Sequence, residues 1–442
     1  MYGPPPHPDQ VSLALGLDQA PGAWLACLGI GLLITALALL QRQPAALRAW
    51  WFCLGQTVVL TAPLAAVLDR AVYGAFPTID KSGSLLFYLD GVHRTLTLHP
   101  LQAVHEPAAR LIGVHVGHLW VTELFDLILS PLGAFNAQGL LHLALGWWAA
   151  ALLLRELSGR WDSAIGLGFA FGLNLHLFRD LNWYTIEKTA VYCLALYAWA
   201  LWRCWRDGGR WGWWAAGLFV FMAFQNWYLA LAGAAGTALL LALTRDSRVL
   251  GHCLATTVAM LPLVALQLAL LSGAGTLGDP ESYLHERALL DSFSLWPPHW
   301  NRLELWRVLD PAAVGLAAWG AWSLRSDPRV RVLLVVGGGL FLLALGPQLL
   351  PGVWNPLYMG VRELVPGFWR VAKPETFFHG TWLLLLAVAA LRLEGRKAWW
   401  LYPLVALAWL GLARTHPVYP GFSEPVVQEL GGDWARERGL AD

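Results

Sequence analysis

Between Asp69 and Pro131 the chain carries a concentration of groups able to move protons or hold cations. Asp69, Asp80, Asp90, Glu106, Glu123 and Asp126 stand there, with His93, His99, His105, His115 and His118 among them. A carboxylate placed just outside a membrane span is partly desolvated, which raises its pKa and suits it to take a proton from a hydroxyl. Asp80, Asp69 and Asp90 are the candidates for that work; the bland alternative is three solvated loop aspartates. The histidines with Glu106 match neither HExxH nor paired CxxC spacing, so no metal ligand is assigned from the pattern. Glu123 and Asp126, in TELFDLILSP, would share one face of a helix lying at the interface.

Two other places could do chemistry. Glu187 and Lys188, in NWYTIEKTAV, enter an apolar segment, where an ionisable pair is costly unless it is paired across helices or faces a cavity. Arg370 and Lys373, in GFWRVAKPE, sit among aromatics just before another such segment. Cations there suit a phosphate, Arg through its bidentate fork, while plain anchoring at the interface is the alternative. The Gly337–Gly339 run lies inside an apolar segment and follows no strand, so it reads as close helix packing rather than a phosphate loop.

The elements that must position these groups are set by composition. The 442 residues are 57% hydrophobic and only 13% charged, with a mean hydropathy of +0.50. Soluble domains carry about 25% charged residues, so the deficit points to a polytopic membrane protein. The net charge of +1 gives no footing for nucleic acid. The 27 Trp fit rings held at the lipid–water boundary. Cys27, Cys53, Cys193, Cys204 and Cys253 lie in or beside apolar segments and read as packing thiols, since a disulfide framework belongs to small secreted domains.

A span needs roughly 20 mostly apolar residues, and that window gives about 12 of them. They fall near 22–41, 50–68, 136–154, 163–178, 185–202, 211–225, 227–243, 249–272, 311–324, 332–350, 378–391 and 398–413. Asn226 divides 211–243, which could otherwise be one bent element. Alternate connectors are short and basic: Arg42 and Arg48; Arg155 and Arg160; Arg203, Arg206 and Arg210; Arg245 and Arg248; Arg325, Arg329 and Arg331; Arg392, Arg396 and Lys397. The positive-inside bias puts these in the cytoplasm. The long connectors 69–131, 273–310 and 351–377 then share the outer face, as do both termini. Residues 1–21, with no basic n-region or cleavage site, read as a disordered lead rather than a signal peptide. The segment 22–413 is the membrane domain, and 414–442 is a polar tail too short for its own core.

Four stretches in this order resemble the GT-C superfamily of integral-membrane glycosyltransferases, in particular bacterial members that use polyprenyl-phosphate sugars. They are ELFDLILSPLGAFNAQGLLHLALGWWAAALLLRELSG behind the acidic loop, DSAIGLGFAFGLN, the aromatic-rich AAGLFVFMAFQNWYLALAGA, and LALGPQLLPGVWNPLYMGVRELVPGFWRVAKPETFF. The resemblance implies an all-α transmembrane bundle whose first large outer loop contains interfacial helices and a catalytic Asp. By position Asp80 takes that role first, with Asp69 and Asp90 behind it. Asp126 falls where relatives carry an acidic residue before a Pro, and Arg370 and Lys373 fall where cations meet the donor phosphate. Implied partners are a polyprenyl-phosphate sugar donor, a glycan, lipid or protein acceptor, and membrane lipids. The chain departs from the pattern in placing the loop after the second span and in lacking a DxD pair there. A divalent metal is therefore left open, with no ligand named.

The sequence thus leads to a multi-pass glycosyltransferase of the bacterial inner membrane, acting at its outer face. A transporter or lipid flippase is the rival, and a GT-C relative without catalysis is a third reading. Transporters place ionisable residues and broken helices near the midplane, often in two related halves. Here the polar mass lies on one face and no half-to-half similarity is found.

Overall fold

Uncharged apolar runs make the helices of this chain, and proline, glycine and Asx caps end them. The structure, a computed structural model, describes residues 21–40, 44–62, 121, 124–125, 127–129, 131–177, 186–272, 293–294, 303–350, 352–365, 368, 371 and 374–413. In chain order the helices are α1 (Pro21–Leu40), α2 (Ala45–Leu60), α3 (Pro131–Ser158), α4 (Trp161–Gly172), α5 (Ile186–Thr189), α6 (Val191–Asp207), α7 (Trp211–Gln225), α8 (Trp227–Thr244) and α9 (Ser247–Ser272). There follow α10 (Leu305–Val308), α11 (Pro311–Ser323), α12 (Pro328–Ala344), α13 (Pro356–Leu364), a 3₁₀ turn (Pro374–Phe377) that runs into α14 (Phe378–Arg392), and α15 (Leu401–Ala413). Two short pairings complete the elements: β1 (Phe293–Ser294) beside β2 (Leu303–Glu304), parallel, and β3 (Gln348–Leu350) beside β4 (Val353–Trp354), antiparallel.

Every segment read as a span contains a helix, and the described chain is predominantly helical. Among the described residues five helical stretches are long and apolar enough to cross a membrane: Gly22–Leu40, Asn136–Ser158, Trp227–Thr244, Ser247–Ala265 and Pro374–Arg392. The boundaries follow local chemistry. Helices α11, α12 and α13 each open on an Asx-Pro pair. Asp310, Asp327 and Asn355 accept backbone N–H bonds from Ala313, Arg329 and Tyr358, while the proline supplies the first helical residue. That device starts α12 at Pro328 and places its end at Ala344, earlier than the 332–350 window. Asn226 separates α7 from α8: its backbone is extended (φ −158°, ψ 112°) and its side chain accepts from the N–H groups of Tyr228 and Leu229. The region 211–243 is therefore two helices.

The described residues fall into two compact units. The first draws on Met1–Trp148, Leu177–Ala190 and Leu407–Asp442. In it α1 and α2 cross where two glycines meet: a Cβ on Gly31 would lie 2.8 Å from the carbonyl oxygen of Gly55, and one on Gly55 would lie 2.8 Å from that of Gly31. Small residues allow apolar helices to approach until backbones touch, the main source of cohesion where lipid removes the hydrophobic drive. Trp148 donates its indole N–H to Ala46 O (3.0 Å) and meets Trp50 edge-on. The buried His142 pairs with Thr189 at 3.0 Å and with Gln138 at 3.4 Å. All five cysteines are free thiols.

The second unit takes Ala149–His176 and Val191–Ala406. Helix α14 is its axis, packed against α4, α11 and α12, while α6, α7 and α9 pack against one another and α8 lies on α12. Trp382 of α14 is fully buried and donates its indole N–H to Ala170 O of α4 (3.0 Å), and Thr381 bonds Gly337 O of α12 (3.1 Å). Gly337 and Gly339 do serve helix contact: a Cβ on Gly339 would stand 2.5 Å from a Leu239 methyl.

Candidate functional site

The second unit has two polar ends of different make. At one end lie the starts of α4, α9 and α12 and the ends of α3, α6 and α14. Glu156, whose side chain is 9% exposed, receives charge-assisted bonds from both Arg203 and Arg206. Arg206 also grips Asp207 (2.7 Å), and its guanidinium holds that carboxyl down at about 2. Arg248 of α9 donates to the Trp205 and Arg206 carbonyls, closing the end of α6. Across the same end Arg329 bridges Asp327 and Glu394 (2.9 and 3.2 Å), Asp162 binds Arg160 and the Ala398 N–H, and the Arg392 guanidinium stacks 3.6 Å over the Trp319 ring. Here lie most of the arginines of the basic connectors, many of them tied to carboxylates.

At the other end, where α4, α7 and α12 finish and α8 and α14 begin, the buried groups are Asn174, His176, Gln225, Asn226, Asn355, Glu375, Thr376 and His379. The His176 and His379 rings face one another with centroids 6.0 Å apart. Asn355 donates to the carbonyls of Leu342 (2.6 Å) and Gly346 (2.9 Å), sealing the end of α12, where Gly346 takes φ +79° to turn the chain. Tyr358 stacks on Phe368, which leans on Phe377, and its hydroxyl reaches Val371 O. The 3₁₀ turn so held packs against α8 and α12. It carries Glu375, 7% exposed. The Gln225 Oε1 is buried without a partner among the described residues.

Between the two ends lies a small, half-open apolar hollow of about 90 Å³. Gly380 and Leu340 line it near the His379 end, Gly233 and Gly236 of α8 line its middle, and Trp202 and Trp205 line it near the basic end. Gly236 has room beside it, a Cβ there finding only ordinary contact with Leu340 (3.7 Å) and Val336 (3.9 Å), whereas Gly233 and Gly380 are closely packed, against Met222 and Leu340. One polar knot touches it. Tyr197 and Thr237, both lining residues, meet at 2.5 Å, and the Tyr197 hydroxyl also reaches His252 Nε2 at 2.9 Å. The hollow thus offers hydrocarbon surface along the helices, with Tyr197 and Thr237 in its wall.

Asp69, Asp80, Asp90, Asp126, Arg370 and Lys373 lie outside the described residues, as do the loop histidines and the chain before and after the helices. Glu187 falls on the backbone of α5, its side chain outside the description; Lys188, next to it, is half-buried. Among the described residues no three His, Cys, Asp or Glu side chains come together as a metal centre. Reading the sequence missed His176, His379 and Glu375. A signal was present for Glu375, a charge directly before a span, but an acidic residue in a first helical turn is ordinarily explained by the helix dipole. No protein-family model matches the chain, and no curated protein is significantly similar to it.

Proposed function

We propose that the chain is a GT-C-type glycosyltransferase of about 12 spans, transferring a sugar from a polyprenyl-phosphate donor to an acceptor at the outer face of the bacterial inner membrane. The observation that carries this reading is an apolar hollow among the helices of the second unit whose wall includes Gly380, the residue after His379 of the buried polar cluster opposite the arginines. An isoprenoid tail needs hydrocarbon walls, and its phosphate and sugar need a polar mouth at the same depth as the catalytic loop. The basic end is cytoplasmic by the positive-inside bias, so the end that carries His176 and His379 is the outer one. Asp80 takes or orients the proton of the acceptor hydroxyl while the lipid phosphate departs. Arg370 and Lys373 stabilise the charge growing on that phosphate, the kind of fixed electrostatics that dominates much of catalysis.

The rival transporter reading draws on the Tyr197–Thr237–His252 knot, since ionisable groups buried along spans often mark a transport path. Radiolabelled sugar transfer by the purified full chain separates the two. Asp80→Asn is expected to abolish transfer with expression and folding intact, and Gly236→Phe, which projects a ring into the hollow, to slow transfer from long-chain donors at least about tenfold. Full activity in Asp80→Asn, Asp69→Asn and Asp90→Asn alike would overturn the assignment, and uptake of a free solute into vesicles without transfer would favour the rival.

A further inference from the structure

The arginines at the basic end of the second unit are held in two ways. Around the tip of α6 protein groups take them up: Arg203 and Arg206 bind Glu156 and Asp207, and Arg248 donates to the Trp205 and Arg206 carbonyls. The turns after α11 and α14 differ. They lie side by side, since Arg329 at the start of α12 reaches Glu394, just past α14, at 3.2 Å. Around that bridge stand Arg325, Arg331, Arg392, Arg396 and Lys397, and none of them meets a carboxylate among the described residues. The carboxylates close by are already engaged: Asp327 and Glu394 by Arg329, and Asp162 by Arg160 and the Ala398 N–H. The surface left between the two turns is cationic.

Arg392 is the sharpest case. Gly320 lets α11 press on α14, a Cβ there standing 2.9 Å from the Val388 carbonyl oxygen and 3.2 Å from the Arg392 Cβ. That approach sets the Trp319 ring 3.6 Å from the Arg392 guanidinium carbon. Stacking occupies the face of a guanidinium and leaves its N–H edge for an acceptor. No acceptor is supplied: the Arg392 Nε is buried without a partner, and its other N–H groups make no hydrogen bond among the described residues. The negative end of α14 accounts for a cation at this position, but it gives these donors nothing to bond.

We propose that the turns after α11 and α14 bind the phosphate of an anionic phospholipid of the cytoplasmic leaflet, with Arg392, Arg396 and Arg325 as its ligands. Charge selects an anion, and the guanidinium fork selects the paired oxygens of a phosphate. The surroundings select a lipid over a free ion. Trp322, 72% exposed, lies beneath Arg325 at 5.0 Å, and Trp399, 73% exposed, follows Lys397. Exposed tryptophans of this kind sit at headgroup depth. Below them the exposed face of α11 runs Trp322, Trp319, Ala318, Gly315, uncharged and narrowing to small residues, a lane that an acyl chain can follow. The site lies at the end of the unit opposite His176 and His379 and does not depend on the transfer reading.

Native mass spectrometry of the purified full chain in detergent tests this, with dioleoyl-phosphatidylglycerol, dioleoyl-phosphatidylcholine and inorganic phosphate as probes. Wild type is compared with Arg392→Gln, Arg396→Gln and Arg155→Gln, the last removing an arginine that stands 3.9 Å from Glu156 at the same end. Wild type should retain phosphatidylglycerol in preference to phosphatidylcholine. Arg392→Gln and Arg396→Gln should each weaken that retention about fivefold, the effect of one basic residue at an anionic surface, and Arg155→Gln should leave it unchanged. Arg396 is exposed in a turn, so its variant reads binding even if Arg392→Gln fails to fold. Equal retention of the two lipids by wild type would overturn the proposal. So would equal losses in Arg155→Gln and Arg396→Gln, which would reduce the effect to overall charge. Displacement of phosphatidylglycerol by inorganic phosphate would make the ligand a free anion and overturn the lipid assignment.

Discussion

The two ends of the second unit solve one problem, burying polar groups at the tips of apolar helices, in opposite ways. At the basic end charges neutralise one another: Glu156 with Arg203 and Arg206, Arg329 with Asp327 and Glu394, Asp162 with Arg160. At the other end imidazoles, amides and one carboxylate are packed among aromatics, and the Gln225 Oε1 finds no partner among the described residues. In the first arrangement the carboxylates are matched within the chain, while single atoms such as the Arg203 and Arg392 Nε are buried without a partner among the described residues. The second relies on neutral hydrogen-bonding groups rather than on ion pairs. A matched pair of caps shows the contrast at its smallest scale. Asp310-Pro311 and Asp327-Pro328 start α11 and α12 by the same chemistry. Burial pushes the Asp310 carboxyl up against the pull of the Ala313 and Ala312 amides, whereas hydrogen bonding to Arg329 draws the Asp327 carboxyl down.

The comparison breaks most visibly at Glu156. Glu156→Ala leaves Arg203 and Arg206 with Asp207 as their remaining carboxylate and is expected to destabilise the protein by about 2 kcal/mol, between the ranges for exposed and buried ion pairs. Chemical denaturation in detergent measures it, and a loss below about 1 kcal/mol would mean that the basic end is no better paired than a solvated surface. Asp327→Asn keeps the cap, since Asn caps as well as Asp, and removes only the charge. A loss of about 0.5 kcal/mol is expected at neutral pH, small because Arg329 is partly exposed. The lowered carboxyl gives stability that is present above the ordinary Asp value of about 4 and lost as pH falls through the folded value. The gap between wild type and Asp327→Asn should accordingly close on acidification below about pH 4; a gap constant with pH would refute the charge account.

Asp310→Asn is the smallest expected effect and carries the opposite sign. With the folded value raised, the wild-type carboxyl loses stability as pH rises from the ordinary Asp value through the folded one. The variant should then match wild type below about pH 4 and exceed it slightly at pH 7, by a few tenths of a kcal/mol after allowance for solvent. Equal losses for both cap variants across pH would erase the distinction between the ends.

The polar features legible in the sequence were those that repeat or that stand alone in apolar surroundings. Asn226 in a run of aromatics and alanines split α7 from α8 as its capping chemistry requires, and alternating arginine-rich connectors marked one end of the helices. Glu375 was hidden because a carboxylate in a first turn looks the same whether water or protein surrounds it. His176 and His379 were invisible as a pair because they are brought together from opposite ends of the second unit's sequence. The same holds for the hollow, whose walls come from five helices.

The sequence by itself determined the helices, their caps and which tips carry arginine, since hydrophobic runs and Asx-Pro starts act within a few residues. Only the tertiary structure decided which carboxylates are paired, because pairing depends on what neighbouring helices bring within about 4 Å. Glu156 and Glu375 are the same side chain at two helix tips; the arginines that α6 supplies to one, and that no described neighbour supplies to the other, make the difference.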